Sequence, residues 1–220
     1  MIGTVIFDMD GVIFDSERAC LSCWREVADK WKLENVEQVF RNCIGTNAYQ
    51  TRMIVEEAYS KEYGEGISDK LLNESSKIWH SRYDESPLPM KAGVLELLDF
   101  LKDNNVPVGL ASSTKKTSVE AELKQAGLYS YFDKIIGGDA VKISKPDPEI
   151  YLLACEIMGT VPKDATAIED SYNGIRSAYA AGLKPVMVPD MIPADDEMKK
   201  LSTVICNDLL EVISFFSKEL

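Results

Sequence analysis

Beyond residue 88 the sequence alternates between short, unbroken apolar runs and longer stretches with apolar residues at three- and four-residue steps. Val106–Ala111, Lys134–Ile136, Ala165–Ile168, Pro185–Val188 and Thr203–Ile205 read as strands. Between and after them lie helical stripes: Val94, Leu97, Leu98 and Leu101; Val119, Leu123 and Ala126; Ile150, Ala154 and Ile157; Ile175, Ala178 and Tyr179; Leu209, Val212, Ile213 and Phe216. Pro148 is placed to open one helix, and Gly127 and Gly182 to close two others. A strand that is apolar at every position has no face to show to water. Such strands, separated by helices, imply an α/β fold with a parallel sheet covered on both faces.

One more strand, Thr4–Phe7, precedes this series, and the segment after it has a different rhythm. Cys20, Cys23, Trp24, Val27 and Trp31 form one helical stripe starting near Ser16, and a second helix covers about Val36–Asn42. Asn47 can cap a helix running to Tyr63, and Ser68 or Asp69 one running to Tyr83. Residues 16–86 therefore read as helices alone. The chain divides into an α/β core, 1–15 and 88–220, and an inserted helical cap, 16–87. A length of 220 residues suits a core plus a smaller insert.

In open parallel sheets, ligands bind outside the carboxyl ends of the strands. Asp8 and Asp10 follow the first strand. Ser112, Ser113 and Thr114 follow the second, and Lys145 lies in the loop after the third. Glu169 and Asp170 follow the fourth. Each has a plain alternative: Ser112 as the start of a helix cap, Lys145 as a solvated surface lysine, Glu169-Asp170 as a cap for the next helix. Their joint placement at one sheet edge is what those alternatives leave unexplained, because carboxylates at a buried strand end are costly without a cation or donors.

A net charge of −12 argues against a nucleic-acid partner, and no apolar run approaches a membrane span. Five scattered cysteines fit reduced thiols in the cytoplasm. Cys20 and Cys23 have C-x-x-C spacing, but His80 is the only histidine and no second such pair exists, so a packing role is expected rather than a zinc site.

Four pieces together resemble the haloacid dehalogenase-like hydrolase superfamily, in its phosphatase and β-phosphoglucomutase-like branch. They are Asp8-Met9-Asp10-Gly11-Val12, Leu110-Ala111-Ser112-Ser113, Lys145-Pro146-Asp147-Pro148, and Ile168-Glu169-Asp170-Ser171 followed by Asn173-Gly174-Ile175. The resemblance implies a Rossmann-like core with a helical cap and a phosphatase acting on a small phosphorylated metabolite, a sugar phosphate by expectation. Carried over, Asp8 is the nucleophile that forms an aspartyl-phosphate, and Asp10 is the general acid and then base. Ser112, Ser113 and Lys145 bind the phosphoryl group. Mg²⁺ sits on the Asp8 carboxylate, the Asp10 carbonyl and Asp170, with Glu169 in support. Such a donor set suits Mg²⁺, which prefers hard oxygens.

In relatives the cap contributes substrate contacts, which makes Gly45, Thr46, Asn47 and Arg52 candidates, with Lys116 for a distal phosphate. A helix cap and solvated side chains explain these residues equally well. Mutase-type members carry histidine as the sixth residue of Asp-Thr-x-x-x-His. Here the stretch reads Asp15-Ser16-Glu17-Arg18-Ala19-Cys20, which favours a phosphatase over a mutase. A phosphometabolite-binding protein without catalysis is the third reading. Nothing in the sequence demands an oligomer, so a monomer is expected.

Overall fold

The computed structural model describes residues 2–44, 46 and 48–218. They form two compact units, residues 2–15 with 89–218, and the described residues of 16–88.

The first unit is built on a six-stranded sheet with every neighbouring pair parallel. The strands are β1 Thr4–Phe7, β2 Val108–Ala111, β3 Lys134–Ile136, β4 Ala165–Glu169, β5 Lys184–Met187 and β6 Val204–Ile205, in the order β3-β2-β1-β4-β5-β6. β1, β2 and β4 are buried at every residue, as strands covered on both faces must be. β1 lies between β2 and β4, with Phe7 opposite Leu110 on one side and Ile168 on the other. The strand order reverses direction there, so the carboxyl ends of β1 and β4 bound the crevice of a doubly wound sheet.

The second unit is entirely helical among its described residues: α1 Ser16–Trp31, α2 Val36–Cys43, α3 Ala48–Tyr63 and α4 Ile67–Tyr83. The first unit adds α5 Val94–Asp103, α6 Lys116–Gln125, α7 Glu149–Met158, α8 Tyr172–Ala180, α9 Asp196–Leu201 and α10 Leu209–Phe216. No described helix is long and apolar enough to cross a membrane.

The structure corrects several expectations. α4 is not capped by Ser68 or Asp69. Gly66 occupies the cap in a left-handed conformation, and Glu56 accepts the N–H groups of Gly66 and Ser68 from outside the turn. β2 starts at Val108, because Val106 donates its N–H to Leu101 at the end of α5 and Pro107 has none to give. Ile157 and Tyr179 are 44% and 54% exposed instead of buried, since α7 and α8 turn other residues inward. α9 went unpredicted because it buries only Met198 and relies on its Asp195 cap, which accepts the Met198 N–H. Among the described residues no disulfide joins the five cysteines; Cys23 is buried and Cys20 half-buried.

Candidate active site

The site grows from the carboxyl ends of β1 and β4. Asp8 donates its N–H to Ile168 and so continues the ladder one step past β1, which fixes its side chain at the crevice. β4 runs one residue further than the sequence suggests, so Glu169 is a strand residue and fully buried. Asp170 follows it, also buried. Oxygens of Asp8, Glu169 and Asp170 lie within 4.8 Å of one another.

Lys145 enters this cluster from the loop before α7. Its side chain is only 7% exposed, so it is not the solvated lysine of the plain alternative. Its Nζ is 2.5 Å from Asp8 Oδ1 and 2.7 Å from Glu169 Oε1, and it donates to the Ala111 carbonyl at 3.0 Å. Burial works against its charge, but Asp8 and Glu169 outweigh that and hold the ammonium above its usual range.

Three carboxylates face one lysine. Burial pushes the Asp8 carboxyl up to about 8 against the pull of Lys145, and Glu169 and Asp10 push the same way. This is a site short of positive charge, lined by hard oxygens. A divalent cation such as Mg²⁺ fits it on both counts.

Two glycines make the closeness feasible. A Cβ on Gly11, whose φ is +78°, would stand 2.3 Å from Asp170 Oδ2. A Cβ on Gly174 would stand 1.9 Å from Glu169 Cδ. Only hydrogen at these positions lets the acidic groups approach the Asp8–Asp10 turn and the start of α8.

The helix caps also go elsewhere. α8 is capped by Ser171, whose Oγ accepts the Gly174 N–H, leaving Glu169 and Asp170 to the crevice. Ser112 is fully buried and does not cap α6. It accepts the Thr114 N–H at 3.0 Å in a local turn. Ser113 is exposed. The Thr114 hydroxyl donates to Asp10 Oδ2 at 3.0 Å, a contact that ties Asp10 to the loop after β2.

The haloacid dehalogenase-like hydrolase model matches residues 5–188, a span that contains all of these features. The chain belongs to this family. Among its relatives is the phosphorylated carbohydrates phosphatase of Thermotoga maritima, 34% identical over 83% of this chain and 82% of its own length. The fructose-1-phosphate phosphatase YqaB of Escherichia coli is 31% identical over 84% of this chain and 95% of its own. The crystal structure of β-phosphoglucomutase from Clostridium difficile aligns with a TM-score of 0.76 at 26% identity, covering 100% of this chain and 96% of that one.

Other candidates for this haloacid dehalogenase-like hydrolase are engaged locally. In the helical unit the Thr46 hydroxyl donates to the Cys43 carbonyl, and Arg52 pairs with Asp69 at 2.9 Å. Gly45 and Asn47 lie outside the described residues. Lys116 opens α6 with its N–H donated to Asp139, and its Nζ is 3.9 Å from Glu120.

Sequence reasoning passed over two further groups. Tyr151, on the first turn of α7, is fully buried; its hydroxyl donates to Glu169 Oε1 at 2.7 Å, and its ring lies 4.9 Å from Lys145 Nζ. Burial, then Glu169 and Asp8, hold that hydroxyl protonated well above its usual range. Glu122 on α6 has its Oε2 buried with no hydrogen-bond partner. Burial first, and the charge of Asp10 second, push its carboxyl up to about 7.

Proposed function

We propose that this phosphoric monoester hydrolase of the haloacid dehalogenase-like family releases phosphate from a small phosphorylated sugar, with water as the final acceptor. The observation that carries this reading is Lys145 wedged between Asp8 and Glu169 at 2.5 and 2.7 Å, with Asp170 beside them.

Asp8 is the nucleophile. Lys145 holds its Oδ1, and the other oxygen attacks phosphorus as the bond to the sugar oxygen breaks. Asp10, oriented by Thr114, gives its proton to the departing sugar oxygen. It then takes a proton from the water that attacks the phosphoryl group on Asp8, and phosphate and free aspartate result. Ser112 and Ser113 bind phosphoryl oxygens, and Lys145 supplies positive charge. Mg²⁺, when held by Asp8, Asp170 and the Asp10 carbonyl, adds the charge that keeps Asp8 ionised and the phosphoryl oxygens neutralised. Glu169 supports that set as the anchor of Lys145, since both its oxygens already accept protein donors: Lys145 and Tyr151 on one, Ser171 on the other. The helical unit, with Thr46 and Arg52, is where substrate selection is expected.

The purified protein with Mg²⁺ should release phosphate from a panel of hexose and pentose phosphates. Asp8→Asn should lower that rate at least ~10³-fold, as loss of a covalent nucleophile does. Wild-type turnover by Asp8→Asn would overturn the nucleophile assignment. The likeness to β-phosphoglucomutase supports a second reading, transfer of the phosphoryl group to another oxygen of the sugar. Cys20, where mutase-type relatives carry histidine, weighs against it. Phosphorus NMR of a hexose 1-phosphate with a bisphosphate activator separates the two: isomerisation without free phosphate would reverse the ranking.

A further inference from the structure

Lys145 has three N–H groups and four acceptors around them. Asp8 Oδ1, Glu169 Oε1 and Ala111 O are at 2.5, 2.7 and 3.0 Å, and Tyr151 Oη is at 3.4 Å. The ammonium is therefore saturated by its neighbours, and where it points is set by whatever fixes those neighbours. Ala111 is fixed by the sheet, as the last residue of β2. Glu169 is a side chain and needs its own restraint. Its Oε2 accepts only longer bonds, from Ser171 Oγ at 3.2 Å and Ser171 N at 3.4 Å. The short bond comes from Tyr151, at 2.7 Å on the same oxygen that receives Lys145. The same hydroxyl oxygen is also 3.4 Å from the ammonium, whose distance to the ring centroid is 4.9 Å, so the hydroxyl edge of Tyr151 is turned to the cation.

We infer that Tyr151 is a positioning residue for Lys145: its hydroxyl locks Glu169 and touches the ammonium, and so aims Lys145 at Asp8 and the incoming phosphoryl group. A phenylalanine would fill the same core volume among Ile150, Ala154 and Ala167. The hydroxyl serves the charged cluster and not the packing. This inference rests on the phosphatase reading above and adds a residue to it.

The test is a double-mutant cycle, read by para-nitrophenyl phosphate hydrolysis and by the thermal shift that inorganic phosphate gives with Mg²⁺ present. Tyr151→Phe should lower kcat about tenfold with KM within twofold, the size expected for one charge-assisted hydrogen bond. Tyr151→Leu, which removes the hydroxyl and leaves a gap beside the ammonium, should lose at least as much. In a Lys145→Ala background, Tyr151→Phe should change neither kcat nor the phosphate-induced shift further. Unchanged kcat in Tyr151→Phe overturns the inference. So does an equal factor with and without Lys145, because a residue that merely packs would act in both backgrounds. Tyr151→Phe is nearly isosteric and guards against a folding failure of the leucine variant. If the wild type hydrolyses no phosphomonoester, the phosphatase reading fails. The phosphate shift then still decides the role of Tyr151: a smaller shift in Tyr151→Phe only when Lys145 is present supports it, and an unchanged shift refutes it.

Discussion

Among the described residues only the α/β unit buries ion pairs, although it also has exposed ones such as Arg176 with Glu197 and Lys199 with Asp196. In the α/β unit Lys145 and Asp8 pair across 137 residues of sequence with side chains 7% and 10% exposed. In the helical unit the ion pairs join side chains that water reaches: Arg25 with Glu37, Lys30 with Glu74, Arg52 with Asp69, Arg82 with Glu26. Exposed pairs contribute little because water and salt screen them, whereas breaking a buried pair strands a charge. The α/β unit is thus intolerant of change at the residues proposed for chemistry. The helical unit can exchange surface residues at small cost, which suits a region proposed to select substrate.

Substitutions can break this contrast. The largest effect is expected from Gly174→Ala, whose new Cβ would strike the buried Glu169 carboxylate. About 2–3 kcal/mol of stability should be lost in denaturant titration, together with most phosphatase activity. A mild phenotype would mean that the crevice is softer than its packing implies. Next is Thr114→Val, which removes the hydroxyl bound to Asp10. Loss of one hydrogen bond, about 1–1.5 kcal/mol, predicts a kcat about tenfold lower on sugar phosphates and recovery in Thr114→Ser.

Glu122 gives a smaller effect with a defined sign. Its folded value of about 7 lies above the ordinary 4.5, so the folded state holds this proton more tightly than the unfolded chain. Stability from this group is complete below about pH 4.5 and declines until about pH 7. Glu122→Gln should flatten that part of the melting-temperature profile between about pH 5 and 8. A profile identical to wild type would show that the carboxyl is not held in its buried position. The smallest effect belongs to the helical unit. Arg52→Ala should change stability by less than ~1 kcal/mol in thermal melts, as for other exposed pairs. A larger loss would erase the distinction between the units.

The strands and the inserted helices were legible in the sequence because hydrophobic period and burial are local properties. Asp8, Lys145, Glu169 and Asp170 could be placed on one edge because parallel strands all end there. What escaped reading depended on contacts with no local signal. Tyr151 sits between Ile150 and Leu152 and reads as one more core residue; its hydroxyl matters only once β4 brings Glu169 alongside. The need for glycine at 174 is a collision with a side chain five residues earlier that points back from the strand. Glu56 caps a helix that starts eleven residues after it, beyond the reach of the usual capping patterns. Ile157 and Tyr179 were misplaced because a three- or four-residue step marks a helix face but not the width of its covered part.

The position of β1 has a consequence for synthesis of the protein. Of the described strands, the one that leads into Asp8 is made before the rest, yet both its neighbours, β2 and β4, come more than a hundred residues later. It cannot be sheltered until the chain has been made through residue 169. Pairings this distant close slowly, since loop entropy is lost before contact is gained. An incomplete chain therefore carries Asp8 without Lys145, without Glu169 and Asp170, and without the sheet that brings these side chains together.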